Sequence, residues 1–233
     1  SFQIDTETAV TINTAIIGGN NHVNHAEHAL GVPLIGTAEA GASVVVTVGA
    51  VSHTVVASAT GTWTVNFATS EIATGIYQAS VTAVSTDAAG NTATSTGTFD
   101  VDTETVVTIE TATVETDGVV NFVERADGVT LTGTAEAGAA VVVTMAGVSQ
   151  TVTATAGGTW SANFAAAGIP SGESLAAVTA VSTDVAGNTA SASGNVTIDT
   201  FVNTLTITSG VVGSDGIINA AEQGKPITLT GMV

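Results

Sequence analysis

The chain contains no cysteine, so it has no disulfide scaffold, no thiol nucleophile and no thiolate metal site. Fixed cations are almost as scarce. Arg125 and Lys225 are the only two, against 20 Asp and Glu, which leaves a formal net charge of −18. Such a surface is a poor partner for nucleic acid or for an anionic membrane. No uninterrupted apolar run approaches the length of a membrane span. The first residues do not read as a signal peptide, so any secretion signal is expected outside this segment. Aromatics make up 4% of the residues, too few beyond the expected core to build a sugar-stacking platform. No paired acid and base, Ser-His-Asp arrangement, phosphate-binding glycine loop or zinc-peptidase motif occurs at usable spacing, which argues against a hydrolase.

What the chain does have is a repeat. Asp5-Thr6-Glu7-Thr8 recurs as Asp102-Thr103-Glu104-Thr105, and Asp199-Thr200 opens a third copy, at steps of 97 residues. The match continues inside the copies. Residues 36–42 recur as 133–139, Gly61-Thr62-Trp63 as Gly158-Thr159-Trp160, and residues 85–91 as 182–188. The expected division is a first domain over residues 1–101, a second over 102–198 and the opening part of a third over 199–233. The seam from Phe99 to Thr105 has no Gly, Pro or Ser run to act as a tether, and Val101 continues the apolar alternation. One domain is therefore expected to run straight into the next.

Most segments alternate apolar and polar residues at period two, the pattern of an antiparallel sheet with one wet face. In the second copy strands are expected near 105–112, 128–135, 140–146, 149–155, 159–164, 175–183 and 189–198. The fold class is all-β, with tandem immunoglobulin-like seven-strand β-sandwiches stacked end to end. Comparing the copies separates inward from outward positions. Val44, Val46 and Val48 become Val141, Val143 and Met145, while Val55 and Ala57 become Val152 and Ala154. Trp63, Val65 and Phe67 become Trp160, Ala162 and Phe164, and the single tryptophan of each copy is expected to anchor its core. Ser and Thr in the same segments are expected to face outward. The loop after the first strand, which holds Asp117, Asn121 and Glu124, allows a short helical turn capped by Asn121.

In such a sandwich strands alternate in direction, so loops sort onto two poles. The upper pole of copy two would gather the seam acids Asp102 and Glu104 with Glu136, Asp184 and Asn188, next to Asp100. Copy one repeats the set as Asp5, Glu7, Glu39, Asp87 and Asn91. The lower pole would hold Asp117, Asn121 and Glu124 beside Asp199, and the third copy carries Asp215, Asn219 and Glu222 at the matching positions. Copy one has Asn20, Asn24 and Glu27 there, without the leading carboxylate. Crowded carboxylates repel and raise one another's pKa values, a cost that a hard cation removes. Calcium suits this set, since it accepts six to eight oxygens in loose geometry where magnesium demands a tight octahedron. None of the loops has the twelve-residue EF-hand spacing. Solubility, or adaptation to salty water, is the plainer account of the acidity, and Asp-Gly and Gly-Asn are also ordinary turn residues. His22, His25 and His28 invite a zinc reading. Copy two has Val119, Phe122 and Arg125 there, so they read instead as exposed loop residues, and His53 as isolated.

Taken together, Asp-Thr at the seam, Gly-Thr-Ala-Glu-Ala-Gly-Ala, Gly-Thr-Trp followed by Asn-Phe, and Val-Thr-Ala-Val-Ser-Thr-Asp-x-Ala-Gly-Asn resemble the bacterial Ig-like repeats of giant RTX-type and biofilm-associated adhesins. The resemblance spans both complete copies. It implies an exported cell-surface protein of a Gram-negative bacterium, secreted unfolded by a type I system and folded outside where calcium is plentiful. It also implies repeats that act as extenders, stiffened by calcium and partnered by adjacent repeats, with other domains gripping a host or biofilm surface. A module that itself binds a receptor or glycan, or assembles into a filament, is the alternative.

Overall fold

In the computed structural model of the chain, the described residues are 4–201, 206–208, 220, 221, 223 and 230–232. The first domain comprises β1 (Val10–Ile12), β2 (His22–Val23), α1 (His25–Leu30), β3 (Val32–Ala38), β4 (Ser43–Val48), β5 (Val51–Val56), β6 (Thr62–Phe67), β7 (Ile76–Thr86) and β8 (Thr92–Asp102). The second comprises β9 (Val119–Val120), α2 (Phe122–Asp127), β10 (Val129–Thr134), β11 (Ala140–Met145), β12 (Val148–Thr153), β13 (Thr159–Phe164), β14 (Glu173–Thr183) and β15 (Thr189–Asp199). Beyond Phe201, β16 (Thr206–Thr208) pairs antiparallel with β17 (Thr230–Met232).

The fold is all-β, and each domain is two facing sheets. In domain one the sheets run β1-β3-β6 and β2-β8-β7-β4-β5. In domain two the larger sheet is β12-β11-β14-β15-β9 and the smaller is β10-β13. The edge of that smaller sheet carries two isolated bridges, Val107 to Ala135 and Glu110 to Thr132, where a continuous strand was expected over 105–112. The register matches Val10 opposite Ala38 in domain one. The Thr134 N–H donates to the Thr108 hydroxyl at 3.0 Å, so a side chain takes part of the ladder's bonding. The alternation gave no sign of β2 and β9, which run parallel to β8 and β15.

Period-two burial follows the sequence comparison closely. Val44, Val46, Val48, Val141, Val143 and Met145 are buried, as are Trp63, Phe67, Trp160, Ala162 and Phe164. Each sandwich has its own core, which lets each satisfy its hydrophobic burial without the other. Two serines depart from the outward rule: Ser85 and Ser182 are fully buried. His28 is also buried, at 4% exposure, and is not the exposed loop residue that its neighbours suggested. Its Nε2 meets the Ile72 carbonyl at 2.8 Å, so that nitrogen carries the proton. In domain two Arg125 takes the same place and donates from Nε to the carbonyls of Ile169 and Pro170, each at 3.0 Å. His53 has partners as well. Its Nε2 is 3.0 Å from both Glu71 carboxylate oxygens, and its ring meets Phe67 edge-on.

Gly36 and Gly133 show how closely neighbouring strands and the tryptophan are fitted within the smaller sheet. A Cβ on Gly36 would lie 2.0 Å from the Thr11 carbonyl oxygen and 2.4 Å from the Trp63 ring. Neither backbone nor a buried indole can move aside cheaply. Gly36→Ala should therefore cost about 1–3 kcal/mol, measured as a lower urea midpoint at unchanged slope. An unchanged midpoint would show that the sheet and indole yield freely.

Candidate metal centre at the domain seam

Strand β8 delivers Asp102 to the seam, the turn before β11 delivers Glu136, and the turn between β14 and β15 delivers Asp184 and Asn188. Carboxylate oxygens of Asp102, Glu136 and Asp184 lie within 4.8 Å of one another. Asp5, Glu39 and Asp87 form the equivalent group in domain one. Three chain segments distant in sequence thus meet on one pole in each copy.

The asparagine of each set acts as a clamp. Asn188 Nδ2 donates to the Asp102 carbonyl at 2.8 Å, to Asp102 Oδ1 at 3.2 Å and to Asp184 Oδ2 at 2.8 Å. Asp184 Oδ1 accepts from the N–H groups of Gly187 and Asn188 at 2.7 and 2.8 Å. In domain one Asn91 Nδ2 donates to Asp87 Oδ2 at 2.7 Å and to the Asp5 carbonyl at 3.2 Å. The sequence suggested Asn188 as an oxygen donor to a cation. Its amide oxygen instead accepts the His25 N–H at 2.7 Å, and because a backbone N–H can only donate, that bond fixes which way the amide points.

The His25 contact crosses between domains. Asn24 Nδ2 also crosses, donating to the Ala186 carbonyl at 3.1 Å. The start of α1 therefore sits over the acidic turn of the next domain, beside a groove of about 540 Å³ lined in part by His25, Glu104 and Thr105. Beneath this cover Asp102 and Glu136 are half-buried, whereas Asp5 and Glu39 are exposed. The backbone adds a lock that sequence reading missed. Thr103 accepts the Gly75 N–H on its hydroxyl at 2.8 Å and returns its own N–H to the Gly75 carbonyl at 3.1 Å. Thr200 makes the same exchange with Gly172, at 2.7 and 3.1 Å.

Burial raises the pKa of Asp102, and the charges of Asp184 and Glu104 push it the same way. Burial likewise raises Glu136, helped by Asp102 and Asp184. Asp87 differs: burial pushes it up, but bonds from Asn91, Gly90 and Ala89 outweigh that and hold it below the ordinary value. Glu136 Oε2 is wholly buried and has no hydrogen-bond partner among the described residues, and the same holds for the Thr105 hydroxyl. A buried carboxylate oxygen without a donor, facing two further carboxylates, suits a hard divalent cation.

The remaining acids lie elsewhere. Asp100 accepts from Gln78 Nε2 at 3.1 Å and lies 4.0 Å from His22. The Glu104 N–H reaches Asp102 Oδ1 at 3.4 Å. Asp117 accepts the Val119 N–H at 2.9 Å, and Asn20 does the same for His22 at 3.0 Å. An amide oxygen serves as well as a carboxylate for that turn, which explains the exchange between copies. Asn121 and Glu124 form a capping box on α2, as Asn24 and Glu27 do on α1. Asp199 ends β15 opposite Glu173. Asp215, Asn219 and Glu222 lie outside the described residues. Among the described residues, no group of three potential ligands includes a histidine.

The chain belongs to the bacterial Ig-like domain family. The family model of that description matches residues 3–103. A bacterial immunoglobulin-like domain from the M. primoryensis ice-binding adhesin is 30% identical, with 40% of this chain and 96% of that domain covered and a TM-score of 0.31. A structure concerning host cell surface retention of a 1.5-MDa bacterial ice-binding adhesin is 26% identical, with 99% and 76% covered and a TM-score of 0.51. A Ca2+-stabilized adhesin with which an Antarctic bacterium binds ice is 30% identical, with a TM-score of 0.49. The alignment takes in 98% of this chain and 58% of that one's length. No curated protein sequence matches the chain.

The raised carboxyl groups define a pH response. A group whose folded pKa lies above its unfolded value stabilises when protonated, so in a chelator stability should rise as pH falls from neutrality through the raised values of Asp102 and Glu136. Asp87, held low, contributes in the opposite sense and loses its share only further down. The chelated chain should thus melt higher at about pH 5 than at about pH 7, with the gain reduced in Glu136→Gln. An equal gain in that variant would assign the response to the general surface charge.

Proposed function

We propose that the chain is a non-enzymatic run of extender repeats from a secreted bacterial surface adhesin, with Ca2+ stiffening the joint between consecutive repeats. The supporting observation is the convergence of Asp102, Glu136 and Asp184 under the start of α1, with Glu136 Oε2 buried and lacking a donor. In domain one Asp5, Glu39 and Asp87 would hold an ion in the same way. Asn91 and Asn188 orient the carboxylates, and the ligands come from the upper pole alone. The lower-pole residues Asp117, Asn121 and Glu124 already serve backbone amides. A bound divalent ion supplies the positive charge that the chain almost entirely lacks.

The repeats divide at residues 1–101, 102–198 and 199–233. The eleven-residue strands β7, β8, β14 and β15, at about 3.3 Å per residue, make each unit about 35 Å long. Likeness to ice-binding adhesins, one of them Ca2+-stabilized, supports an extracellular location and adjacent repeats as partners. Export by a type I system, and contact with a host or biofilm surface through other domains, belong to the same reading.

Extracellular calcium modules have dissociation constants of about 10⁻⁴ to 10⁻³ M. At roughly tenfold excess over such a constant, each site adds about 1.4 kcal/mol, or about 5–10 °C in melting temperature for a domain of this size. Chelation should reverse that gain and broaden the interdomain distribution in small-angle scattering. Asp102→Asn should abolish most of the calcium gain in domain two, while Asp127→Asn, an exposed acid on α2, should leave it intact. Equal calorimetric titrations of both variants, or scattering profiles indifferent to chelator, would defeat the proposal.

A further inference from the structure

Domain one carries a pocket whose wall differs in chemistry from the matching surface of domain two. It has a volume of about 340 Å³ and lies between the turn at residues 14–19, α1 and the start of β3. Its lining includes Ile16, Gly18, Gly19, Leu30 and Pro33, where domain two has Thr113, Glu115, Thr116, Asp127 and Thr130. Leu30 is 85% exposed and Ile16 48%. Domain two shows that the same fold accepts polar residues at these positions, so the apolar wall of domain one is not dictated by the fold.

The backbone is the same in both domains. Gly18 and Gly19 have φ of 60° and 82°, and Glu115 and Thr116 adopt 49° and 81°. Domain two therefore places side chains where the left-handed conformation is strained, and domain one substitutes glycines and gains open space. A Cβ on Gly18 would lie 2.8 Å from Glu27 Oε2, so the glycine also keeps the Glu27 carboxylate uncovered. Oε2 accepts the Asn24 N–H at 3.0 Å, and Oε1 has no hydrogen bond among the described residues. The result is an apolar wall with one carboxylate in it, on a surface of net charge −18.

We infer that this pocket docks a peptide segment of another protein in which an apolar side chain neighbours a lysine or arginine. The apolar wall takes the first side chain, and Glu27 with the surrounding negative field takes the second. A second copy of this chain offers a single segment of this kind, Lys225-Pro226-Ile227. Its only fixed cations are Lys225 and Arg125, and Arg125 is committed to carbonyls within its own domain. This function is separate from the stalk and does not depend on calcium at the seam.

The test uses the whole chain, ¹⁵N-labelled and calcium-loaded, titrated with capped Leu-Lys, Leu-Glu and Gly-Lys dipeptides and followed by amide shifts. Leu-Lys should saturably move Gly18, Gly19, Leu30 and Gly31, and should bind about threefold or more tighter than either control, the scale of one half-exposed charge pair. The matching amides of Glu115, Thr116, Asp127 and Gly128 should stay still. Leu30→Asp, which installs domain two's own residue at an exposed site, should fold normally and lose the response. Shifts in neither domain, equal shifts in both, or equal binding of Leu-Glu would overturn the proposal. So would concentration-dependent shifts of the same amides without peptide, which would mark the pocket as a contact between copies of the chain.

Discussion

Repulsion among carboxylates at the joint is the constraint on which the rest of the structure depends. Like charges about 4–5 Å apart cost about 4 kcal/mol per pair at an effective dielectric near 20. The Asn188 amide and two turn N–H groups offset part of this, at about 1.5–3 kcal/mol for each bond to a charge. Glu136 Oε2, wholly buried, receives no donor among the described residues. The protein therefore concentrates an unfavourable interaction at the place where the two domains meet.

Everything near the joint holds that arrangement in position. The Thr103 exchange with Gly75 ties the linking strand to the loop before β7, independent of charge. The start of α1 lies over the acidic turn and fixes Asn188 through the His25 N–H. The backbone thus sets the mutual position of the acids, and the side chains do not find it for themselves. Such preorganisation would lower the entropy lost on binding at the proposed ion site.

Much of this was legible in the residues. Alternation at period two and an internal repeat located the strands, the cores and both tryptophans, because burial on one sheet face is a local property of sequence. Sorting the loops by strand direction alone brings Asp102, Glu136 and Asp184 to one pole, where their carboxylates meet. Hydrogen-bond direction was less visible. Asn188 looked like an oxygen ligand, yet its amide nitrogen faces the acids, a choice set by a backbone N–H from another domain. His28 and Arg125 look unrelated in sequence, yet each offers one N–H to an equivalent carbonyl. The lower-pole acids did carry a readable signal. Asn-x-x-Glu at Asn24 and Asn121 is a capping-box pattern, and both pairs cap a helix.

The contact between α1 and the turn at Ala186 joins two different surfaces, the tail of one unit and the head of the next. Such a heterologous contact has a direction and never pairs a face with itself. Asn24 and Asn188 recur as Asn121 and Asn91 in the other copy, so duplicating or deleting one whole 97-residue unit keeps the asparagines that make this contact. Length can therefore change by recombination in whole steps, without any new interface having to evolve.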